Sequence, residues 1–445
     1  MRPSTHAVLV MLAALTKVSS AAAQAAAPPP GAPPPAATPA APAAAPAAPA
    51  APAAAPAAAP SPAAAAPAPA APAAAPAAPA PSVLDKISAD AFVDAYGAFN
   101  TNGPKPQGPA VSGGIAVGGN SFRAFDAAEG FSLNWAGVNA SYAADPIGGT
   151  IGLRIGPGAV LYNTGQDNAY GLTLVKQAYA TWKPADKLTL DFGKWDQPYG
   201  SEVADSQLNM NYTRSVLFWF MQPLFFTGLR VDYAASDQFD FKVFAANGWN
   251  NTIDNNRGKT FGVQAMIKPM DQLVLYLGYV GGPEQQDYTI PGGGMALVGN
   301  VPDANSHFRH MVDFVADFNP TSALRFLLNA DYRTEDSVPT PGTTDTHTES
   351  AFGGNLVVRY AFTDSFSGSL RGEYYHDEHG DTLGTGTKTD IEDGTLTLMY
   401  GVGNHLAFMF DARYDHANNS IFQKDASDSN DSQFTATLGI IASTK

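Results

Sequence analysis

The sequence predicts an all-β fold, a transmembrane antiparallel β-barrel of about 16 strands, and three observations point to it. From Ala91 onward apolar and polar residues alternate with period two. Tight turns built on Pro, Gly and Asp alternate with long polar connections. Past the N-terminus, no run of 18 apolar residues offers a membrane helix.

The N-terminal residues read as an export signal. Arg2 supplies the positive start and Ala7 to Leu15 a short apolar core, too short to span a bilayer. Ala21-Ala22-Ala23 before Gln24 is the expected cleavage point, with Lys17 oddly placed ahead of it. Residues 1–23 are therefore assigned to a signal peptide and 24–84 to a linker. Pro28 to Pro81 is almost pure Ala and Pro, without charge. Repeated proline removes amide donors and clashes with preceding turns, which forbids a continuous helix. Such a tract is an extended spacer; at about 3.1 Å per residue it reaches at most roughly 170 Å. It serves as a periplasmic or cell-wall tether or as a passive tail.

Residues 85–445 carry the barrel pattern. Candidate strands start near residues 91, 131, 149, 170, 186, 224, 238, 258, 272, 307, 322, 351, 364, 394, 404 and 432. Ser322 to Arg333 puts Leu324, Phe326, Leu328, Ala330 and Tyr332 on one face and Arg325, Asn329, Asp331 and Arg333 on the other. Gln238 to Ala246, Ser365 to Tyr375 and Asn404 to Asp415 repeat the alternation. A soluble sandwich would alternate too, so the connections decide. Asp145-Pro146-Ile147-Gly148, Pro184-Ala185-Asp186, Ala235-Ser236-Asp237, Lys268-Pro269-Met270-Asp271, Asn319-Pro320-Thr321, Phe362-Thr363-Asp364 and Val402-Gly403 are tight. The others, such as 282–306, 334–348, 376–390 and 416–431, are long and polar. An even strand number with short turns at one end and long loops at the other is the outer-membrane arrangement. Tyr332, Tyr360 and Tyr414 sit where an aromatic girdle belongs. Two strands break the pattern. Lys176 falls on the lipid face of the strand that holds Leu172 and Leu174, and the strand at Phe131 loses phase near Gly137 and Val138.

Several ordered stretches carry a family likeness. They are Phe122-Arg123-Ala124-Phe125-Asp126, Phe131-Ser132-Leu133-Asn134, Gln177-Ala178-Tyr179, and Leu190 to Trp195 with Gly200 and Glu202. Asn211-Tyr212-Thr213-Arg214-Ser215, Gly228-Leu229-Arg230, Asn247-Gly248-Trp249-Asn250, Arg371-Gly372-Glu373-Tyr374 and Arg413-Tyr414-Asp415 follow. From about Phe92 to Leu438 the chain resembles the putative β-barrel porin-2 (OmpL-like) family of outer-membrane proteins. The resemblance implies a barrel and, by analogy, a pore. Barrels of this kind commonly end on an aromatic residue read during assembly; here the last residues are Ile440-Ile441-Ala442-Ser443-Thr444-Lys445.

Composition narrows the chemistry. There is no cysteine, which excludes disulfides, thiolate metal sites, a cysteine nucleophile and a lipid-anchored N-terminus. A net charge of −15 argues against nucleic acid as a partner. No catalytic, cofactor or metal set is expected. The expected partners are outer-membrane lipid, small hydrophilic solutes or ions, a homo-oligomer, and a periplasmic or cell-wall contact through the linker. His376-Asp377-Glu378-His379 has ligand-type residues but reads as a solvated loop. Asn250 to Asn256 and Asp425 to Asp431 offer oxygen ligands without the spacing of a known calcium loop.

Sixteen strands enclose an aqueous lumen, and its wall should hold the charges. The alternation puts Arg154, Arg230, Arg325, Arg359, Arg371 and Arg413 there, with Asp191, Asp232, Asp240, Asp313, Asp317, Asp331, Glu373 and Asp411. Any one of them is expected to pair along the wall. The third long connection, Asp196 to Pro223, carries Asp196, Glu202, Asp205 and Arg214 and ends in the apolar run Val216 to Met221. A solvated loop should not expose such a run, so it either starts a lipid-facing strand or folds inward and narrows the lumen. General porins use an inward third loop in this way. Arg2 and Lys17 leave with the signal, so 25 basic residues fall to 23 against 40 acidic ones. With Asp196, Glu202 and Asp205 outnumbering Arg214, a mild cation preference is expected. The predicted function is a passive outer-membrane diffusion pore; the alternative is a tethering barrel without significant transport. An enzymatic barrel such as a lipase would need a nucleophile and base in reach, and no spacing indicates such a pair.

Overall fold

In a computed structural model, residues 86–104, 119–163, 167, 171–285, 304–339, 345–425 and 428–444 are described. The proposed signal and linker lie outside them, as do parts of the connections at 282–306, 334–348 and 416–431.

The long alternating segments become the strands β1 Ile87–Asn100, β2 Gly130–Tyr142, β3 Ile147–Ile155, β4 Val175–Ala185, β5 Leu188–Asp196, β6 Phe225–Ser236, β7 Phe239–Ala246 and β8 Thr260–Met270. They continue as β9 Leu273–Pro283, β10 Phe308–Phe318, β11 Leu324–Pro339, β12 Thr346–Ala361, β13 Phe366–Asp377, β14 Thr389–Val402, β15 Leu406–Ala417 and β16 Ser432–Ser443. Each strand pairs antiparallel with its sequence neighbours, and β1 pairs with β16 (Phe92 with Ser443, Asn100 with Thr435), which closes the sheet. Closure leaves no unpaired edge, as a sheet in hydrocarbon requires. Both ends of the barrel sheet lie at the short-turn end.

The two faces separate as alternation demands. Outward-facing Val93, Phe99, Val138, Ile151, Leu229, Leu277, Leu328, Leu356, Leu370, Leu396 and Leu438 form an exposed apolar band. Tyr142, Tyr233, Tyr360 and Tyr400 face outward near the short turns, and Tyr279, Tyr332, Tyr374 and Tyr414 toward the long loops. Tyr332 stands in mid-strand because β11 runs on to Pro339.

The structure resolves both irregular strands through β-bulges. Asp94 pairs with Trp135 and Ala95 with Leu133, which leaves Asn134 as the extra residue. Asn134 and Trp135 are both buried, and the phase then resumes with Val138 outward. Gly152 pairs with Gln177 and Leu153 with Val175, which leaves Lys176 as the extra residue of β4. Lys176 is therefore buried inside the barrel, which corrects its expected lipid-facing position. One extra residue re-aims a side chain, and a strict period-two reading cannot place it.

Candidate pore constriction

The 197–224 connection between β5 and β6 folds into the lumen. Its apolar end forms a short π-helical turn, Leu217–Met221, with Val216, Leu217, Phe218 and Met221 buried. This apolar run is thus neither lipid-facing nor solvated; it forms a core with Trp195, Phe226, Phe244, Tyr375 and Phe422.

Polar contacts fix the loop to much of the wall. The Gly200 amide donates to Asp313 at 3.0 Å and the Ser201 amide to Asn329 at 3.2 Å. Gln222 donates to Asn329 at 3.0 Å and Asp331 at 2.6 Å. Opposite, the Thr213 amide donates to Asp411 at 2.8 Å and Asn211 to Thr397 at 2.6 Å. The Tyr212 hydroxyl donates to Asp94 at 2.8 Å and Ser206 to the same carboxylate at 2.5 Å. Amides of Val216 and Leu217 donate to Glu373 at 3.0 and 2.6 Å. Tyr199 and Tyr212 reach the wall because glycine stands behind them. A Cβ on Gly439 would meet the Tyr212 ring at 2.1 Å, and one on Gly278 would meet Tyr199 at 2.5 Å.

The four residues singled out from sequence have distinct fates; Asp196 is the last residue of β5, paired with Phe225, so only Glu202, Asp205 and Arg214 belong to the loop itself. Glu202 accepts from Arg371 at 2.9 Å and holds Ser215. Asp205 pairs with Arg154 at 2.9 Å and Lys176 at 3.2 Å. Arg214 lines no opening; buried, it donates to the Val203, Tyr212 and Ala204 carbonyls and to Ser206, and so ties the loop to itself. Asp196 is bonded by Lys176 and by Tyr162, yet its side chain keeps 36% exposure, against 7% for Glu202 and Asp205. The acidic excess of the loop is thus taken up by wall cations, and Asp196 alone offers a carboxylate to water. Burial opposes the Asp205 carboxylate, but Lys176 and Arg154 outweigh it and hold its pKa below the usual range. Burial, reinforced by Asp94, pushes the Tyr212 phenol well up and keeps it a donor.

The wall arginines divide by height. Arg154, Arg371 and Arg413 are buried against the loop level, where Arg371 and Arg413 share Asp393 at 3.2 and 2.9 Å. Arg230 pairs with Asp191 at 2.7 Å, Arg325 with Asp317 at 2.8 Å, and Arg359 donates to Ser367 at 3.3 Å. These three stay partly exposed, Arg325 by 39% of its side chain. Sequence reading missed Asp94, Lys176, Asp393 and Arg123 as lumen groups. Arg123, from the first long connection, is buried and pairs with Asp415 at 2.8 Å. It lies in one of the family-like stretches, which was the available signal.

The weaker candidates also resolve. Asn250 caps backbone, accepting from Leu224 and Phe225 amides at 2.6 and 3.2 Å, and Asp254 pairs with Lys259. Asp425 accepts from the Asp428 amide at 3.1 Å; residues 426–427 lie outside the described ones. The stretch from His376 to His379 divides: His376 and Asp377 end β13 and are buried, whereas Glu378 and His379 lie in the connection with well-exposed side chains, as expected, and His379 turns toward Glu349 at 3.0 Å.

A family model, putative beta-barrel porin-2, OmpL-like, matches residues 86–443. The chain belongs to that family. The matched span is the barrel itself, from the residue before β1 to the end of β16. Among solved structures the chain is similar to OprB of Pseudomonas putida at high pH, with TM-score 0.52 and 15% identity over 81% of this chain and 95% of that one. It is also similar to a loop-L8 deletion mutant of OmpT from Vibrio cholerae, with TM-score 0.50 and 11% identity over 80% and 98%. The outer membrane channel DcaP of Acinetobacter baumannii gives 0.50 and 9% over 80% and 96%. At such identities the likeness concerns the fold alone. No curated protein matches by sequence. This member of the family is a porin-like outer-membrane barrel with its third long loop inside.

Proposed function

We propose that the protein is a passive diffusion pore for small hydrophilic solutes, narrowed by its third long loop, in the bacterial outer membrane. The supporting observation is an inward loop over a lumen that stays polar and water-facing toward the short turns. There Arg325, Arg359, Arg230, Asp317, Asp232 and Lys242 all keep partial exposure. Leu208 on the loop is 70% exposed, and neighbouring Met210 packs on Val315, Leu327 and Val357. Charges of both signs on the wall give weak sorting by sign. A mild cation preference rests on Asp196 and on the acid excess of the whole chain. Residues 1–23 act as a cleaved signal and 24–84 as a periplasmic spacer, with both barrel ends on the periplasmic side.

The test is reconstitution of the purified protein in planar bilayers. Discrete conductance steps, with a reversal potential slightly to the cation side in a salt gradient, are expected. A second reading, a tethering barrel, draws on one feature: Asp94, Arg154, Arg371, Asp393, Asp411 and Arg413 at loop level are nearly water-free. A folded, inserted barrel that passes no current and no sugar in liposome swelling would overturn the pore and leave the tether.

A further inference from the structure

The mouth at the long-loop end holds a second cluster of chemistry-bearing side chains, independent of whether the lumen conducts. His347 and Glu349 are two residues apart at the start of β12 and so share its lumen face. His379 and Asp381, again two apart, come from the 378–388 connection between β13 and β14. The His347 Nε2 lies 3.6 Å from the Glu349 Oε2 and 2.6 Å from the Asp381 Oδ2. The His379 Nδ1 lies 3.0 Å from the same Glu349 oxygen. One ligand atom from each of His347, Glu349 and His379 falls within 4.8 Å of the others. Tetrahedral zinc at about 2.0–2.2 Å from each ligand sets neighbouring ligand atoms about 3.4 Å apart; the two Glu349 contacts, 3.6 and 3.0 Å, bracket that value, and the 2.6 Å His347–Asp381 hydrogen bond opens when both side chains bind the ion.

We propose that His347, Glu349, His379 and Asp381 form a binding site for a divalent metal ion of the zinc class. The donor set is two imidazoles and two carboxylates, which suits zinc and its first-row neighbours rather than calcium or magnesium. Three features favour a bound cation over a plain hydrogen-bonded cluster. Glu349 is 1% exposed, and its second oxygen, Oε1, is buried with no hydrogen-bond partner. The two imidazole rings stand 4.3 Å apart between centroids, where two imidazolium charges would repel and one shared metal would not. Among the described residues no Lys or Arg forms an ion pair with Glu349, Asp377 or Asp381, although these carboxylates crowd together.

The loop ligands are also pre-organised. Asp377 accepts from the Gly380 amide at 3.0 Å, the Leu383 amide at 2.8 Å and the Thr382 hydroxyl at 2.6 Å. This ring of bonds fixes the turn that carries His379 and Asp381. His379 keeps 44% side-chain exposure, so an ion can enter from the mouth. Bound metal ties β12 to the next long loop and stiffens the rim.

The test is titration of the full-length protein in detergent with zinc chloride by calorimetry, and with cobalt(II) for its tetrahedral absorption. One saturable equivalent per chain is expected. His347→Ala and His379→Ala should each weaken it roughly tenfold or more. His376→Ala, which removes the neighbouring imidazole that faces Asp390 and Glu378 instead, should leave it unchanged. Heat-modifiable gel mobility checks that every variant is a folded barrel. Absence of saturable zinc binding in the folded wild type, or wild-type binding by the folded His347 and His379 variants, would overturn the site.

Discussion

Glu202 and Arg371 show at residue scale how the lumen is organised. Arg371 is buried, pairs with Glu202 and Asp393, and donates to the Thr213 carbonyl at 2.7 Å. Removing one member of a buried ion pair costs about 3–5 kcal/mol, because the partner charge stays buried and alone. Arg371→Ala should therefore lower the barrel's unfolding temperature in detergent and turn a steady current into a flickering one. Unchanged melting and unchanged noise would show that Arg371 does not hold the loop. Asp205 adds a pH dependence. Its folded pKa lies below the ordinary 3.8, so its contribution is full above that value and is lost as pH falls further through the depressed one. Loop-dependent current noise should rise only below about pH 4, and Asp205→Asn should show that noise already at neutral pH. Noise independent of pH in the wild type would count against this pair as a loop anchor.

At the scale of elements, the 197–224 loop behaves as a panel bolted to the wall rather than a hanging strap. Its bonds reach Asp94 of β1, Asp313 and Asn329 of β10 and β11, Glu373 of β13 and Asp411 of β15. Deleting residues 203–210 removes the Asp205 and Ser206 anchors and the exposed Leu208, so single-channel conductance should rise severalfold. Equal conductance would place the narrowest point elsewhere. Gly439→Val puts side-chain atoms where the Tyr212 ring lies and should release the same panel, giving a larger and noisier current. Both effects concern the loop and not the strands, so heat-modifiable mobility should persist in each variant.

For the whole molecule, the barrel closes on itself through β1 and β16 and contains its own cores. The Ala/Pro segment has no periodicity or charge with which to add to them. A chain lacking Pro28 to Pro81 should thus fold, insert and conduct like the full protein. Loss of the heat-modifiable band would show that the segment has a structural part. Orientation is tested on the same scale with cysteines at Asp381, on a long loop, and at Pro320, in a short turn. An impermeant thiol reagent on intact cells should label the first and spare the second; the opposite pattern would invert the barrel.

The strand set and its closed-barrel class were legible in the sequence. Alternation is a local property: a residue's face follows from its neighbours two positions away. The breaks in that logic were legible only as breaks. Asn134 and Lys176 are single extra residues whose direction depends on the partner strand's register. The partners of the third loop were not legible at all. Glu202 meets Arg371 across 169 positions and Tyr212 meets Asp411 across 199, and no local pattern encodes such distances. For the same reason the partner of His379 was not legible: His379 sits exposed in its loop as read, but Glu349 lies 30 positions upstream at the start of β12. Period and turn chemistry determined that a barrel forms; closure of the sheet decided which charges face each other across it.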